Sequence, residues 1–137
     1  MMGDESASGR HETDRSLEGE ALTYSMAVTA AEAANEMFGK DITIIDLKDH
    51  VSYTDYFVVT SAETDRQTKR IAEEVIEKMI SAGHRPRSRR LDENSQWLSL
   101  DFVDVVVHVF TDEARDYYRL ESLWRSAPQE KWGGWES

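Results

Sequence analysis

Hydrophobic and polar positions along this chain change period several times, and each change marks an element. Over residues 25–38, Ala27, Ala30, Ala31, Ala34, Met37 and Phe38 recur at helical spacing, and Gly39 follows as a stop. Residues 42–47 and 56–61 read as strands. Thr64-Asp65-Arg66-Gln67 has the spacing of a capping box, which predicts a second helix. Its apolar stripe is Ile71, Ala72, Val75, Ile76, Met79 and Ile80, and Gly83 ends it. Residues 85–91 form a weaker strand, residues 92–95 a turn, and residues 97–100 the next strand. Residues 101–103 turn the chain into a valine-rich run. Asp112 and Glu113 suit the first turn of a final helix, which runs through Tyr117, Tyr118 and Leu120 to about Ser122.

The order is αββαβββα, an α+β chain with α/β-like sandwich character: a mixed sheet of about five strands flanked by helices. The strands at Trp97 and Val105 should pair as an antiparallel hairpin. The strand–helix–strand over residues 56–91 reads as a right-handed crossover between parallel strands. Val105, Val106, Val107 and Val109 are β-branched and fall on both parities, so both faces of their strand should be buried, as in a central strand. Asp104 and His108 share a parity in that run, roughly 13 Å apart on one face. An acid and an imidazole on such a strand either serve a site or are satisfied at the sheet end.

The ends are patterned differently. Residues 1–20 carry six acids, two arginines, three glycines and one leucine, too little apolar surface to offset ordering entropy. They read as a disordered acidic tail, leaving residues 21–128 as the domain and 129–137 as a C-terminal tail. Beyond Pro128, Trp132 and Trp135 flank Gly133-Gly134; the segment reads as a frayed end or as an aromatic anchor.

Composition narrows the classes. A length of 137 residues is one domain's worth, and 27 acids against 16 bases leave a net charge of −11. Such a chain repels phosphates on average and favours basic partners, so little direct nucleic-acid binding is expected. With no cysteine there is no disulfide scaffold and no thiolate metal site. No apolar run approaches the roughly 20 residues of a membrane span, and the acidic start suits neither a signal nor a transit peptide.

Candidate chemistry is sparse. Thr60-Ser61 ends a strand just before a helix, a junction that can hold phosphate, but it lacks cradling glycines and is better read as a cap. Asp101, Asp104 and His108 offer oxygen and nitrogen ligands, yet the two acids straddle a turn and no third acid is fixed beside them. Residues 84–90, His-Arg-Pro-Arg-Ser-Arg-Arg, form a basic cluster without a stacking aromatic, which reads as an RNA-touching patch or as a charged edge strand. Adjacent Tyr117 and Tyr118 cannot share a helical face, so at least one points outward. Exposed aromatics amid acids have the composition of a protein-binding hot spot. No Ser-His-Asp ordering and no H-E-x-x-H motif occurs.

Several blocks, taken together, resemble a known family. They are Asp55-Tyr56-Phe57-Val58-Val59-Thr60-Ser61, Arg66-Gln67, Trp97-Leu98-Ser99-Leu100-Asp101, Asp104-Val105-Val106-Val107-His108-Val109-Phe110 and Arg115-Asp116-Tyr117-Tyr118-Arg119-Leu120-Glu121-Ser122-Leu123-Trp124. In this order they are similar to the ribosomal silencing factors, also called RsfS or Iojap, over residues 25–128. The resemblance implies a fold related to nucleotidyltransferases without that activity. It implies a bacterial cytoplasmic or organellar factor that docks on ribosomal protein fourteen of the large subunit, blocks joining of the small subunit and lowers translation. It also implies a homodimer when free. Trp97 and Tyr118 match family positions expected to contact the partner. Ala62 stands where the family usually has glycine, and the tails lie outside the match.

The expected partner-binding set is therefore Trp97, Tyr118, Asp101, Asp104 and His108, with no catalytic residue, metal or cofactor. The competing class is a nucleotidyltransferase-like enzyme. It would need two acids alternating on one strand and a third on a neighbour, a spacing that Asp101 and Asp104 do not have.

Overall fold

In a computed structural model of the chain, the described residues are 2–91 and 96–132, with side chains described from Glu18 onward except that of Leu91. Their elements are α1 (Met2–Glu36), β1 (Lys40–Asp46), β2 (Tyr56–Ala62), α2 (Asp65–Ser81), β3 (Ser88–Leu91), β4 (Trp97–Asp101), β5 (Val105–Thr111), α3 (Asp112–Tyr118), α4 (Leu120–Leu123) and β6 (Gln129–Lys131). The strands form one mixed sheet in the order β3-β4-β5-β2-β1-β6.

Alternation along each strand divides the core into two layers. On one face α1 and α2 pack over Ile42, Ile44, Tyr56, Val58, Leu100, Val105, Val107 and Val109. On the other, Ile45, Leu47, Phe57, Val59 and Phe110 meet Ala114, Leu120 and Ala127. β5 is buried on both faces, as its valines require. The α2 capping box forms in full: Thr64 Oγ1 accepts from Gln67 N, and the Gln67 side chain accepts from Thr64 N.

β2 and β5 are parallel, while β4 pairs antiparallel with both β3 and β5. The expected hairpin of β4 and β5 is present, and β3 runs in the direction of β2. These two are not neighbours, because the hairpin inserts between them. The strand that lies parallel against β2 is β5.

Four local features differ from the sequence reading. α1 is helical from Met2, although residues 1–20 were expected to be a disordered tail; the first of its described side chains to be buried is Thr23. Phe38 does not join the apolar stripe: α1 ends at Glu36, Phe38 takes a left-handed backbone at φ 63°, and its side chain is 87% exposed. The final helix is broken at Arg119, which adopts the left-handed region at φ 48° and separates α3 from α4. A sixth strand was not expected. β6 pairs antiparallel with β1, Trp132 N donates to Ile42 O, and Trp132 packs on the larger core cluster, so residues 129–132 anchor to their own domain. The turn at residues 92–95, and Gly133, Gly134 and Trp135, lie outside the described residues.

Candidate partner-binding site

The face of the sheet opposite α1 and α2 carries the candidate site. In β4 it presents Trp97, Ser99 and Asp101, and in β5 Val106, His108 and Phe110. Register pairs these across the hairpin as Trp97 with Phe110, Ser99 with His108 and Asp101 with Val106, and directly paired residues share a face. The short α3 and α4 cover this face only in part.

The result is a connected set of rings. Trp97 stacks on Phe110 at 4.9 Å between centroids and meets Tyr118 at 4.8 Å. His108 packs edge-on against Phe57 at 4.5 Å, and Phe57 contacts Trp124 at 6.3 Å. At the rim Tyr117 is 80%, Leu123 72% and Tyr118 42% exposed, while Trp97 and Trp124 are half-buried.

His108 is the polar centre of the set. It is only 7% exposed. Trp97 Nε1–H donates to its Nδ1 at 3.0 Å, with Ser99 Oγ a further 3.4 Å contact. An Nδ1 that accepts leaves the proton of the neutral ring on Nε2. That nitrogen is buried and has no partner among the described residues. Burial pushes the imidazole pKa down to about 4, so the ring is neutral at physiological pH. His108 thus holds an indole as a neutral ring, and its burial disfavours the second proton that would charge it.

The two acids are placed differently. Asp101 shares the ring-bearing face, but its carboxylate is engaged locally: Oδ2 accepts from Arg87 Nη2 at 2.8 Å and Oδ1 from Val103 N at 2.7 Å. Burial pushes this carboxyl up. The Arg87 hydrogen bond, the Val103 N–H and the charges of Arg87 and Arg90 outweigh that push and hold it below the usual range. Asp104 precedes β5 and is exposed at the hairpin turn, where Val103 has φ 75°. Its backbone carbonyl accepts from Asp55 N and Tyr56 N, tying the turn to β2. Parity with His108 therefore does not place Asp104 on the ring-bearing face, because the strand has not yet begun there. The geometry unites Trp97, Tyr118 and His108, sets Asp101 nearby, and leaves Asp104 apart.

Arg115 positions the α3 side of the site and was not singled out by the sequence pattern. Its guanidinium donates to Lys40 O at 3.0 Å, Ser61 Oγ at 3.1 Å, Asp41 O at 2.7 Å and Glu121 Oε2 at 3.1 Å. It staples α3 and α4 to the irregular start of β1, where Asp41 has φ 46°. The same bonds occupy the Ser61 hydroxyl, and Thr64 is spent on its cap, so the strand-to-helix junction serves structure. No group of three or more His, Asp or Glu side chains suited to a metal ion occurs among the described residues. No described helix is long and apolar enough to cross a membrane.

Comparison with known proteins places the chain in a family. Residues 20–136 match the family described as ribosomal silencing factor during starvation. The ribosomal silencing factor RsfS of Bacillus subtilis is 33% identical over 99 residues, covering 72% of this chain and 84% of the relative. The chloroplastic protein Iojap of Zea mays is 31% identical over 115 residues, covering 79% of this chain and 47% of that longer protein. A crystal structure of a Chromobacterium violaceum protein superposes with a TM-score of 0.71 at 34% identity, covering 74% of this chain and 84% of the other. The chain belongs to the RsfS family of ribosomal silencing factors.

Proposed function

We propose that this chain silences ribosomes by occupying a surface: it binds the free large subunit at ribosomal protein fourteen and keeps the small subunit from joining. The coarser part follows from family membership, which makes it a ribosome-binding regulator of translation and not an enzyme. The docking face in this reading is Trp97 and Tyr118, with His108 beneath them, Asp101 at the edge and Asp104 at the hairpin tip. The observation that carries it is the half-exposed ring set on a sheet face that α3 and α4 leave partly uncovered. Half-buried Trp and Tyr in a fixed arrangement supply apolar contact at little entropic cost, as interface anchors do. The net charge of −11 favours a basic ribosomal protein and speeds encounter. In this reading the factor acts in the bacterial cytoplasm and pairs as a homodimer when free.

A subunit-joining assay tests the function. Added to large subunits before small subunits, the protein should lower the assembled fraction, and it should do less to ribosomes already joined. Equal joining with and without it, in either order of addition, refutes the proposal.

A further inference from the structure

β3 is one edge of the sheet, and the six residues 85–90 hold four arginines in a chain whose net charge is −11. Their placement is not uniform. Arg87 is committed to Asp101 through its side chain, and its backbone N–H donates to Asp101 O. Arg89 pairs with Leu100, so it faces the helical layer, where it lines a groove with Glu73, Ile76, Glu77 and Ile80 of α2. Arg90 pairs with Ser99, and Ser99 pairs with His108. One lateral row therefore runs Arg90, Ser99, His108 on the face that carries Trp97. Arg85 and Arg90 are exposed; neither side chain is in a hydrogen bond or a close ion pair with another described residue, although the charge of Arg90 acts on Asp101.

We infer that Arg90, on the face that carries Trp97, and Arg85, just before β3, form a phosphate-contacting strip for the RNA of the large subunit, so that one docking event engages the strip and the aromatic face. The inference rests on the ribosome-binding reading and adds a second chemistry to it. An acidic protein is repelled by an RNA-rich surface, so its approach is tolerable only where positive charge is concentrated. Arginine is suited to that contact, because its planar fork matches phosphate geometry. The strip has no aromatic residue on which a base could stack, so it would contact the backbone without reading sequence. Charge placed only to keep an edge strand from pairing needs no preference for a face, and predicts no salt-dependent affinity.

The test measures binding of the full-length protein to purified large subunits at salt concentrations from about 50 to 200 mM. Each phosphate contact contributes roughly 0.7–0.9 to the slope of log affinity against log salt, so Arg85→Ala/Arg90→Ala should remove about 1.5. Across that fourfold salt range the affinity change should shrink by about tenfold, with the melting temperature unchanged. Arg90→Ala alone should remove about half of that slope, while Arg89→Ala, an equal charge change on the other face, should stay within about twofold of the parent. A photo-crosslinking side chain at position 90 should give a product on large subunits that ribonuclease degrades. Parent protein that fails to bind large subunits would refute the function itself. If the parent binds but the double variant keeps its slope, the strip is only edge protection. If Arg89→Ala matches Arg90→Ala, the effect is net charge and not contact. If the crosslinked product resists ribonuclease and yields to protease, the partner is an acidic protein. Each of the last three outcomes overturns the inference while leaving ribosome binding intact.

Discussion

Replacing Trp97 by alanine separates a docking role from a packing role, because the structure sets a size for each. The indole stacks on Phe110, touches Tyr118 and donates to His108 Nδ1. Truncating a fully buried tryptophan costs about 3–5 kcal/mol of stability. Trp97 is half-buried, so about 2 kcal/mol is expected from lost packing, and about 1 kcal/mol more from the lost hydrogen bond. His108 would keep only the 3.4 Å contact with Ser99 Oγ at that nitrogen. As an interface anchor, Trp97 should contribute at least about 2 kcal/mol to docking, roughly thirty-fold in affinity. Trp97→Phe is the control. It keeps a ring against Phe110 and Tyr118 and removes the indole N–H, so it should lose about 1 kcal/mol of stability and retain most of the affinity. The assays are denaturant unfolding and co-sedimentation with large subunits, under conditions where both variants are more than nine-tenths folded. Affinity should fall in the order parent, Trp97→Phe, Trp97→Ala, and Tyr118→Ala should resemble the last. A folded Trp97→Ala protein that binds within twofold of the parent would refute the assignment of this face, even if the protein still silences ribosomes.

Three further outcomes follow from geometry elsewhere. A Cβ on Gly39 would lie 2.5 Å from Thr60 Oγ1 and 3.1 Å from Ala34 O, and Thr60 is buried with its hydroxyl donating to Lys40 O, so Gly39→Ala should cost about 1–3 kcal/mol in urea unfolding. His108 is held neutral by burial, with its pKa lowered from 6.5 to about 4, so its contribution is complete above pH 6.5 and is lost as pH falls towards 4. The loss should approach 3 kcal/mol, and His108→Phe should flatten the parent's pH dependence in that window; an unchanged dependence in the variant refutes the burial reading. Deleting residues 1–20 should leave the melting temperature and subunit binding near those of the full chain, since the first buried side chain described in α1 is Thr23; a loss of either shows that the segment belongs to the domain.

The elements legible in the sequence were those whose own residues decide them. Thr64 and Gln67 satisfy each other across three residues, so the start of α2 needs no tertiary information. The valines of β5 could be read as a two-sided buried strand because burial on both faces leaves no polar alternation. β6 was invisible for the opposite reason. Gln129, Glu130 and Lys131 are all exposed, and what makes them a strand is backbone pairing to β1, together with the Tyr24 hydroxyl donating to Glu130 Oε1 at 2.7 Å. Strand order was likewise out of reach: β2 and β3 do run in one direction, but nothing local says that the β4–β5 hairpin inserts between them. The exposure of Phe38 and the break at Arg119 depend on non-glycine residues in the left-handed region, which pattern alone does not predict.

The acid and imidazole of the valine-rich segment show how pairing decides what a residue type alone leaves open. Read along the chain, Asp104 and His108 share a parity and invite one explanation. In the fold they have separate ones, because the turn at Val103 keeps Asp104 out of β5 while His108 sits three residues inside it. The residue that gives His108 its role is Trp97, eleven positions away and brought close by the antiparallel hairpin. The indole can only donate, so it requires an accepting Nδ1, and that requirement fixes the tautomer and leaves Nε2–H buried. A protonated ring could not accept at Nδ1, and burial, which pushes the imidazole pKa down to about 4, keeps the ring in the neutral form that holds the indole. Because Ser99 of β4 pairs with His108 of β5 on one side and with Arg90 of β3 on the other, the register of β4 aligns the buried imidazole, the aromatic face and the basic edge. A slip of a single residue in β4 would send Trp97 to the helical layer and dismantle all three at once.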